Sequence, residues 1–257
     1  MDIVTMGFLA SLAAGLFTGV GALPVLFGKT VPRWLNDTLL GFAAGVMLAA
    51  SFFSLIIPGV DIAKEQYGYA AVAAGIAVVG VVLGVAFVAG LNRWIPHEHF
   101  QLGHQGPEAK GLGKIWLFIF AITIHNLPEG LAVGVGFGSG DIAKGVTLAT
   151  GIGLQNAPEG LAVAVALLSY NYSRLYAVTV AALTGLVEPV AGLAGAYAVT
   201  VSQLLLPWAL TFAAGAMLYV ISHEIIPETH SHGFENEATL GLTIGLVMMM
   251  FLDVAFA

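Results

Sequence analysis

The sequence contains no cysteine, which excludes disulfides, thiolate zinc sites, iron–sulfur clusters and thiol nucleophiles. Any metal bound by this chain must therefore be held by nitrogen or oxygen. Charge is nearly as scarce. Asp, Glu, Lys and Arg make up 9% of the 257 residues, against roughly 25% in soluble globular chains, and 58% are hydrophobic. So few charges cannot cover a water-soluble surface. Lys and Arg number eight and the formal net charge is −7, which leaves no basic footprint for nucleic acid or for an anionic membrane surface. The chain also lacks a Gly-x-Ser-x-Gly nucleophile turn, a phosphate-binding loop and a dinucleotide fingerprint.

What is present is apolar run after apolar run. Charge-free stretches from Ile3 to Gly28, Thr38 to Val60 and Gln66 to Asn92 each exceed the roughly 20 residues that cross a hydrocarbon core. The start, Met1-Asp2-Ile3, has no basic n-region, so the first run reads as a span and not as a removed signal. Hydropathy predicts spans near 3–28, 38–60, 67–91, 115–138, 145–169, 175–200, 204–226 and 238–257. The expected fold is all-α and integral to the membrane, eight transmembrane helices in a single bundle, with residues 1–257 forming one membrane domain. Alternate loops place Lys29, Arg33, Arg93, Lys110, Lys114 and Arg174 on one face against Lys64 and Lys144 on the other. That bias puts both termini outside a cytoplasmic-type (inner) membrane. The loop over 92–113, on the cytoplasmic face, carries Gly103, Gly106, Pro107 and Gly111 and is expected to be irregular and mobile.

One internal repeat carries chemistry. His125-Asn126-Leu127-Pro128-Glu129-Gly130-Leu131-Ala132-Val133 recurs thirty residues later as Gln155-Asn156-Ala157-Pro158-Glu159-Gly160-Leu161-Ala162-Val163, with seven of nine positions identical. Both copies begin at the eleventh residue of antiparallel spans, so both fall near the bilayer midplane and a pseudo-two-fold site follows. His125 and Glu129 are one helical turn apart, as are Gln155 and Glu159. The two pairs offer four nitrogen or oxygen ligands, and imidazole with carboxylates suits zinc and its neighbours. Asn126 and Asn156 lie one position round the helix.

Prolines add to the case. Pro128, Pro158 and Pro189 cannot donate to the carbonyls of Ile124, Leu154 and Gly185, which predicts Pro-broken fourth, fifth and sixth helices lining a cavity. A carboxylate at mid-membrane costs ~2.5–3.5 kcal/mol on insertion scales, so Glu129, Glu159 and Glu188 are expensive choices for packing alone. The competing reading is hydrogen-bonding glue between helices. Six of the seven histidines fall on the face assigned to the cytoplasm. His223 and Glu224, at the end of the seventh span, are the stronger candidates there. His97, His99 and His104 in the long loop, and His230 and His232 beyond the seventh span, read equally as metal handling or as solvated polarity. Asp61, near the opposite face, could attract cations at an entrance, although a solvated loop position accounts for it more simply.

The HNLPEG and QNAPEG segments resemble the signature of the ZIP (Zrt-, Irt-like) metal transporters. The likeness extends over nearly the whole chain, through the Glu188-Pro189 pair, the HEIIPETH end of the seventh span and the HEHFQLGHQGPE loop, and points to the bacterial GufA-like branch. The resemblance implies uptake of zinc from outside or periplasm to cytoplasm without ATP, with cadmium, iron and manganese as further candidates. It implies no prosthetic group. It assigns His125, Glu129, Gln155 and Glu159 to a first metal, and Asn126, Asn156 and Glu188, with the two midplane glutamates shared, to a second. His223 and Glu224 fall on the exit path. It further implies an elevator-like movement of a helix group that includes the fourth and fifth spans, often within a homodimer in the bilayer. Some close relatives carry Asp at the position of Asn156, which bears on how fully the second metal position fills. Two other readings stand beside this one: a channel-like metal permease, and an intramembrane zinc hydrolase. The second lacks a second histidine for an H-E-x-x-H helix, because Ile225, Ile226 and Pro227 follow His223-Glu224.

Overall fold

The computed structural model describes residues 1–28, 31–99, 103–105 and 114–256, and only the backbone of residues 97–99, 103–105, 114, 115 and 118. Lys29, Lys110 and the side chains of His97, His99 and His104 therefore lie outside the described residues.

Among the described residues eight helices are long and apolar enough to cross a membrane. They are α1 (Ile3–Phe27), α2 (Arg33–Tyr67), α3 (Ala70–Trp94), α4 (Ile119–Gly138), α5 (Ile142–Ser169), α6 (Arg174–Val201), α7 (Gln203–Thr229) and α8 (Glu235–Phe256). Local chemistry sets their ends. Asp2, Asp141 and Ser173 cap α1, α5 and α6 by accepting from the backbone N–H of Thr5, Lys144 and Tyr176. Gly28 and Gly68 end α1 and α2 at φ 74° and 73°, a left-handed conformation that costs a residue with a Cβ. Outward faces carry Val78, Val82, Leu83, Val190 and Phe251, exposed and apolar as a lipid-facing surface requires.

Three expectations need correction. Helices α4 and α5 run unbroken through Pro128 and Pro158. A proline removes one hydrogen bond but its φ suits a helix, and here each is followed two residues on by a glycine against which a neighbour's backbone presses. A Cβ on Gly130 would strike the backbone of Glu188, and one on Gly160 the backbone of Thr18. Only α6 breaks, between Thr184 and Val187, and there Gly185 is not left without a donor, since its carbonyl accepts from Glu188 N at 3.2 Å. The third correction is the long loop. It contains a short antiparallel pairing of β1 (His97–His99) with β2 (Gly103–Gln105), His97 opposite Gln105 and Glu98 opposite His104.

Distortion falls elsewhere than at these prolines. The chain is π-helical over Ala50–Ile56 in α2 and over Ile221–Ile225 in α7. Each stretch leads into Ile-Pro, at Ile57-Pro58 and Ile226-Pro227. A wider turn lets a carbonyl deprived of its i+4 donor by proline be served by the next residue, and such turns concentrate at functional positions.

The bundle resolves into two packed groups. In one, α1 packs on α4, α5 and both halves of α6, and α4 lies along the second half of α6; in the other, α2 packs on α8 and α3 on α7. Within each group the seams are glycine to backbone: a Cβ on Gly245 would strike the backbone of Phe42, and one on Gly84 that of Phe212. Between groups the contact is made by side chains, among them Met47, Leu148, Ile152, Met217 and Met249. Among the described glycines whose Cβ would meet another helix, Gly151 alone faces the other group, and it meets the Met249 thioether and Val46.

Candidate metal site

The repeat places its polar side chains where α4, α5 and α6 converge. His125, Asn126, Glu129, Gln155, Asn156, Glu159 and Glu188 are all buried, none more than 6% exposed. One continuous hydrogen-bond chain links three of these helices. Gln155 Nε2 donates to Glu129 Oε1 at 2.6 Å and to Asn156 Oδ1 at 3.1 Å. Asn156 Nδ2 donates to Glu188 Oε1 at 2.7 Å and to the Ala14 carbonyl of α1 at 2.9 Å. The break in α6 serves this chain, since it turns Glu188 into the first turn of the second half-helix.

What the chain leaves over is mostly acceptor oxygen. Glu129 Oε2, Gln155 Oε1, Glu159 Oε1, Glu188 Oε2 and Asn126 Oδ1 are buried oxygens with no hydrogen-bond donor, and Asn126 Nδ2 is likewise unpartnered. A buried polar atom left so costs about 1–3 kcal/mol, and more when charged. Buried acceptors left in this way present a demand that a donor or a cation would meet.

Glu129 lies near enough to Glu159 and Glu188 for their charges to act on one another. Even so, among the described residues no three His, Asp or Glu side chains are near enough to enclose a metal ion. The amide groups account for the difference: Gln155 and Asn156 are bonded to the carboxylates, and His125 is turned elsewhere. Its Nε2 contacts Glu224 Oε2 on α7. The structure thus joins Glu129, Gln155, Asn156 and Glu188 into one cluster with Glu159 beside it, and directs His125 across the group boundary.

Glu224 is held from a third side. Asn92, near the end of α3, donates from Nδ2 to Glu224 Oε1 at 3.0 Å. His223 sits on the same π-helical stretch with its ring 4.9 Å from that of Tyr219. The later histidines belong to a separate neighbourhood. His230 bonds with Thr239 at 3.2 Å, whereas His232 lies against Arg33, 3.4 Å from Asp37 Oδ2 and 3.8 Å from Glu228 Oε1. Burial and the Arg33 guanidinium hold the His232 imidazole below its usual range, with Asp37 acting in opposition. At the other end of the bundle Asp61 pairs with Lys64 at 3.1 Å and lines a cavity of about 420 Å³ with Ser54, Asp141, Lys144 and Asp253.

Sequence reasoning missed three participants. Asn92 stood at the edge of a charge-free run and looked like the start of a loop. Asp253 accepts from Ser54 Oγ at 2.7 and 2.9 Å, and its signal was a lone carboxylate inside the last span. The Ala14 carbonyl had no signal at all, because a backbone acceptor is invisible in sequence.

Eight helices long and apolar enough to cross a membrane, packed around a buried, oxygen-rich cluster, define a multi-pass membrane protein. Residues 96–253 match the ZIP zinc transporter family. The chain is 46% identical over 250 residues to the zinc transporter GufA of Myxococcus xanthus, covering 97% of this chain and 98% of that protein. It is 47% identical over 250 residues to the zinc transporter ZIPB of Bordetella bronchiseptica, covering 97% and 80%. To the human zinc transporter ZIP11 it is 36% identical over 318 residues, covering 92% and 93%. The chain belongs to the ZIP zinc transporter family. Members of that family are transporters and not enzymes, so the hydrolase reading is set aside.

Proposed function

We propose that this chain takes up zinc from the outside or periplasm to the cytoplasm through the cluster at Glu129, Gln155, Asn156, Glu159 and Glu188, with His125 and Asn126 completing the ligand set. The observation that carries the reading is the group of buried acceptor oxygens without donors around the Glu129–Gln155–Asn156–Glu188 hydrogen-bond chain. Cadmium, iron and manganese are further cargo on the same donor chemistry.

The packing supports alternating access. Backbone-tight glycine seams make each helix group stiff, while the boundary between groups is side-chain contact rich in adaptable methionine. The group of α1, α4, α5 and α6 carries the site and moves against the other, as an elevator. His125 and Glu224 touch across that boundary, so Glu224 stands where an ion leaving His125 meets its next ligand. His223 extends the exit, with His97, His99, His230 and His232 beyond it, and Asp61 stands at the entrance. The lysine and arginine bias supports both termini facing outward, and a homodimer in the bilayer belongs to the same reading.

Purified protein in liposomes provides the test. Zinc flux that saturates at low metal, and falls when Glu129 or Glu159 is replaced by Gln, supports the carrier. Flux linear far above the binding constant would indicate a channel-like permease instead.

A further inference from the structure

From Ala70 to Leu91 helix α3 has no polar side chain, as suits a helix whose job is to face lipid and pack on α7. Asn92 breaks that pattern and is buried, 4% exposed. Its amide is spent on a single carboxylate: Nδ2 donates to Glu224 Oε1 at 3.0 Å, with the Tyr219 hydroxyl more distant at 3.4 Å. The other Glu224 oxygen is the one in contact with His125.

Resting on the transport reading above, we propose that Asn92 is a positioning residue for metal hand-over, pinning one oxygen of Glu224 so that the other faces His125. Two features favour this role over glue between α3 and α7. That seam is already closed by backbone contact, since Cβ atoms on Gly84 and Gly215 would strike the backbones of Phe212 and Val81. An amide is also the donor that orients a carboxylate without cancelling its charge, whereas Lys or Arg at this position would neutralise the group that must attract a dication. Asn92 and Glu224 belong to one helix group and His125 to the other. Asn92 therefore keeps the receiving carboxylate fixed while the donor side moves, and its loss should slow release more than it weakens loading.

The experiment is zinc uptake by liposomes containing wild-type protein, Asn92→Ala, Asn92→Asp, Glu224→Gln and the Asn92→Ala/Glu224→Gln double variant, with equilibrium zinc binding in detergent alongside. We expect Asn92→Ala and Asn92→Asp each to lower the maximal rate about tenfold, the scale of a lost hydrogen bond to a charged group. Half-saturation and equilibrium zinc binding should stay within about threefold. Asn92→Ala should add nothing in the Glu224→Gln background. A normal maximal rate in either single variant would overturn the proposal. So would losses that multiply in the double variant, or failure of Asn92→Ala to fold, since either makes the residue structural. Absence of saturable flux in the wild type would instead remove the transport reading itself, and this proposal with it.

Discussion

The His125 imidazole on α4 contacts the Glu224 carboxylate on α7, and this contact joins two helix groups that otherwise meet mainly through apolar side chains. His125, proposed above as a ligand, is thus engaged by a residue outside the cluster. If Glu224 receives the ion from His125, Glu224→Gln leaves loading intact and slows release. We expect maximal zinc uptake to fall about tenfold, with equilibrium binding changed less than about threefold. Stopped-flow release from detergent-solubilised protein checks this, and equal loss of binding and rate would place Glu224 in the loading site instead.

In the proposed site Glu129 and Glu159 supply the formal charge that a dication requires. At an effective dielectric of 20 a unit charge 4 Å away is worth about 4 kcal/mol, so even after partial compensation Glu129→Gln should weaken zinc binding by about 100-fold or more. Folding should survive, because Gln is isosteric and the Gln155 amide can still meet its carbonyl. Calorimetric titration decides the point. Full zinc uptake by the double Glu129→Gln/Glu159→Gln variant would mean that the repeat only glues helices together.

The glycine pattern separates stability from movement. Gly130 abuts the Glu188 backbone, which cannot move aside, so Gly130→Ala should cost several kcal/mol and lower yield of folded protein. Gly151 abuts only the flexible end of Met249 and the Val46 side chain, across the group boundary. Gly151→Val should therefore fold and bind zinc, while transport slows several-fold because the boundary no longer slides smoothly. Thermal melting together with flux distinguishes the two. Normal flux in folded Gly151→Val would count against relative movement at this seam.

His232 gives a pH dependence of stability. Its pKa in the folded chain lies below the ordinary 6.5, so the unfolded chain binds the proton more readily. The stabilising difference is complete above pH 6.5 and is lost as pH falls through the depressed folded value. Acidification below 6.5 should lower the melting temperature of the wild type more than that of His232→Gln, as measured in detergent. Identical acid profiles would show that the imidazole does not titrate against Arg33 and Asp37.

The sequence made some of this visible and hid the rest for physical reasons. Lipid-facing apolar runs write span number directly, and an i, i+4 pairing with Glu, His125/Glu129 and then Gln155/Glu159, repeated in consecutive spans marks the buried cluster. Helix pairing stayed hidden, because Gly is spread over the whole chain and only packing decides that Gly151 differs from Gly130. The prolines misled in both directions. Pro128 and Pro158 sit in unbroken helix, whereas Pro58 and Pro227 follow π-helical stretches, one of which carries His223 and Glu224. Asn92 and Asp253 were overlooked because a single polar residue near the end of a run looks like its margin.

The last prediction concerns Asn156, whose amide is fully engaged: Nδ2 binds Glu188 and the Ala14 carbonyl, and Oδ1 accepts from Gln155. A second metal beside the first must share that oxygen with Gln155 or displace it, and it gains no charge in return. Glu129, Glu159 and Glu188 supply −3 at most against +4 for two dications, which repel strongly a few ångströms apart at low effective dielectric. We therefore expect one tightly held zinc per protomer at this cluster, with any second ion far weaker. Asn156→Asp changes both quantities at once, bringing the charge to −4 and removing the amide that competes with metal for Glu188 Oε1. It should strengthen the second binding event at least tenfold and slow turnover, because an ion held better leaves later. Calorimetric titration with zinc, with His97, His99, His104, His223, His230 and His232 replaced to remove competing sites, resolves the two events. Two equally tight ions in protein with Asn156 intact would refute the charge argument, and an Asn156→Asp variant with no stronger second event would show that the amide contacts, not the missing charge, decide occupancy.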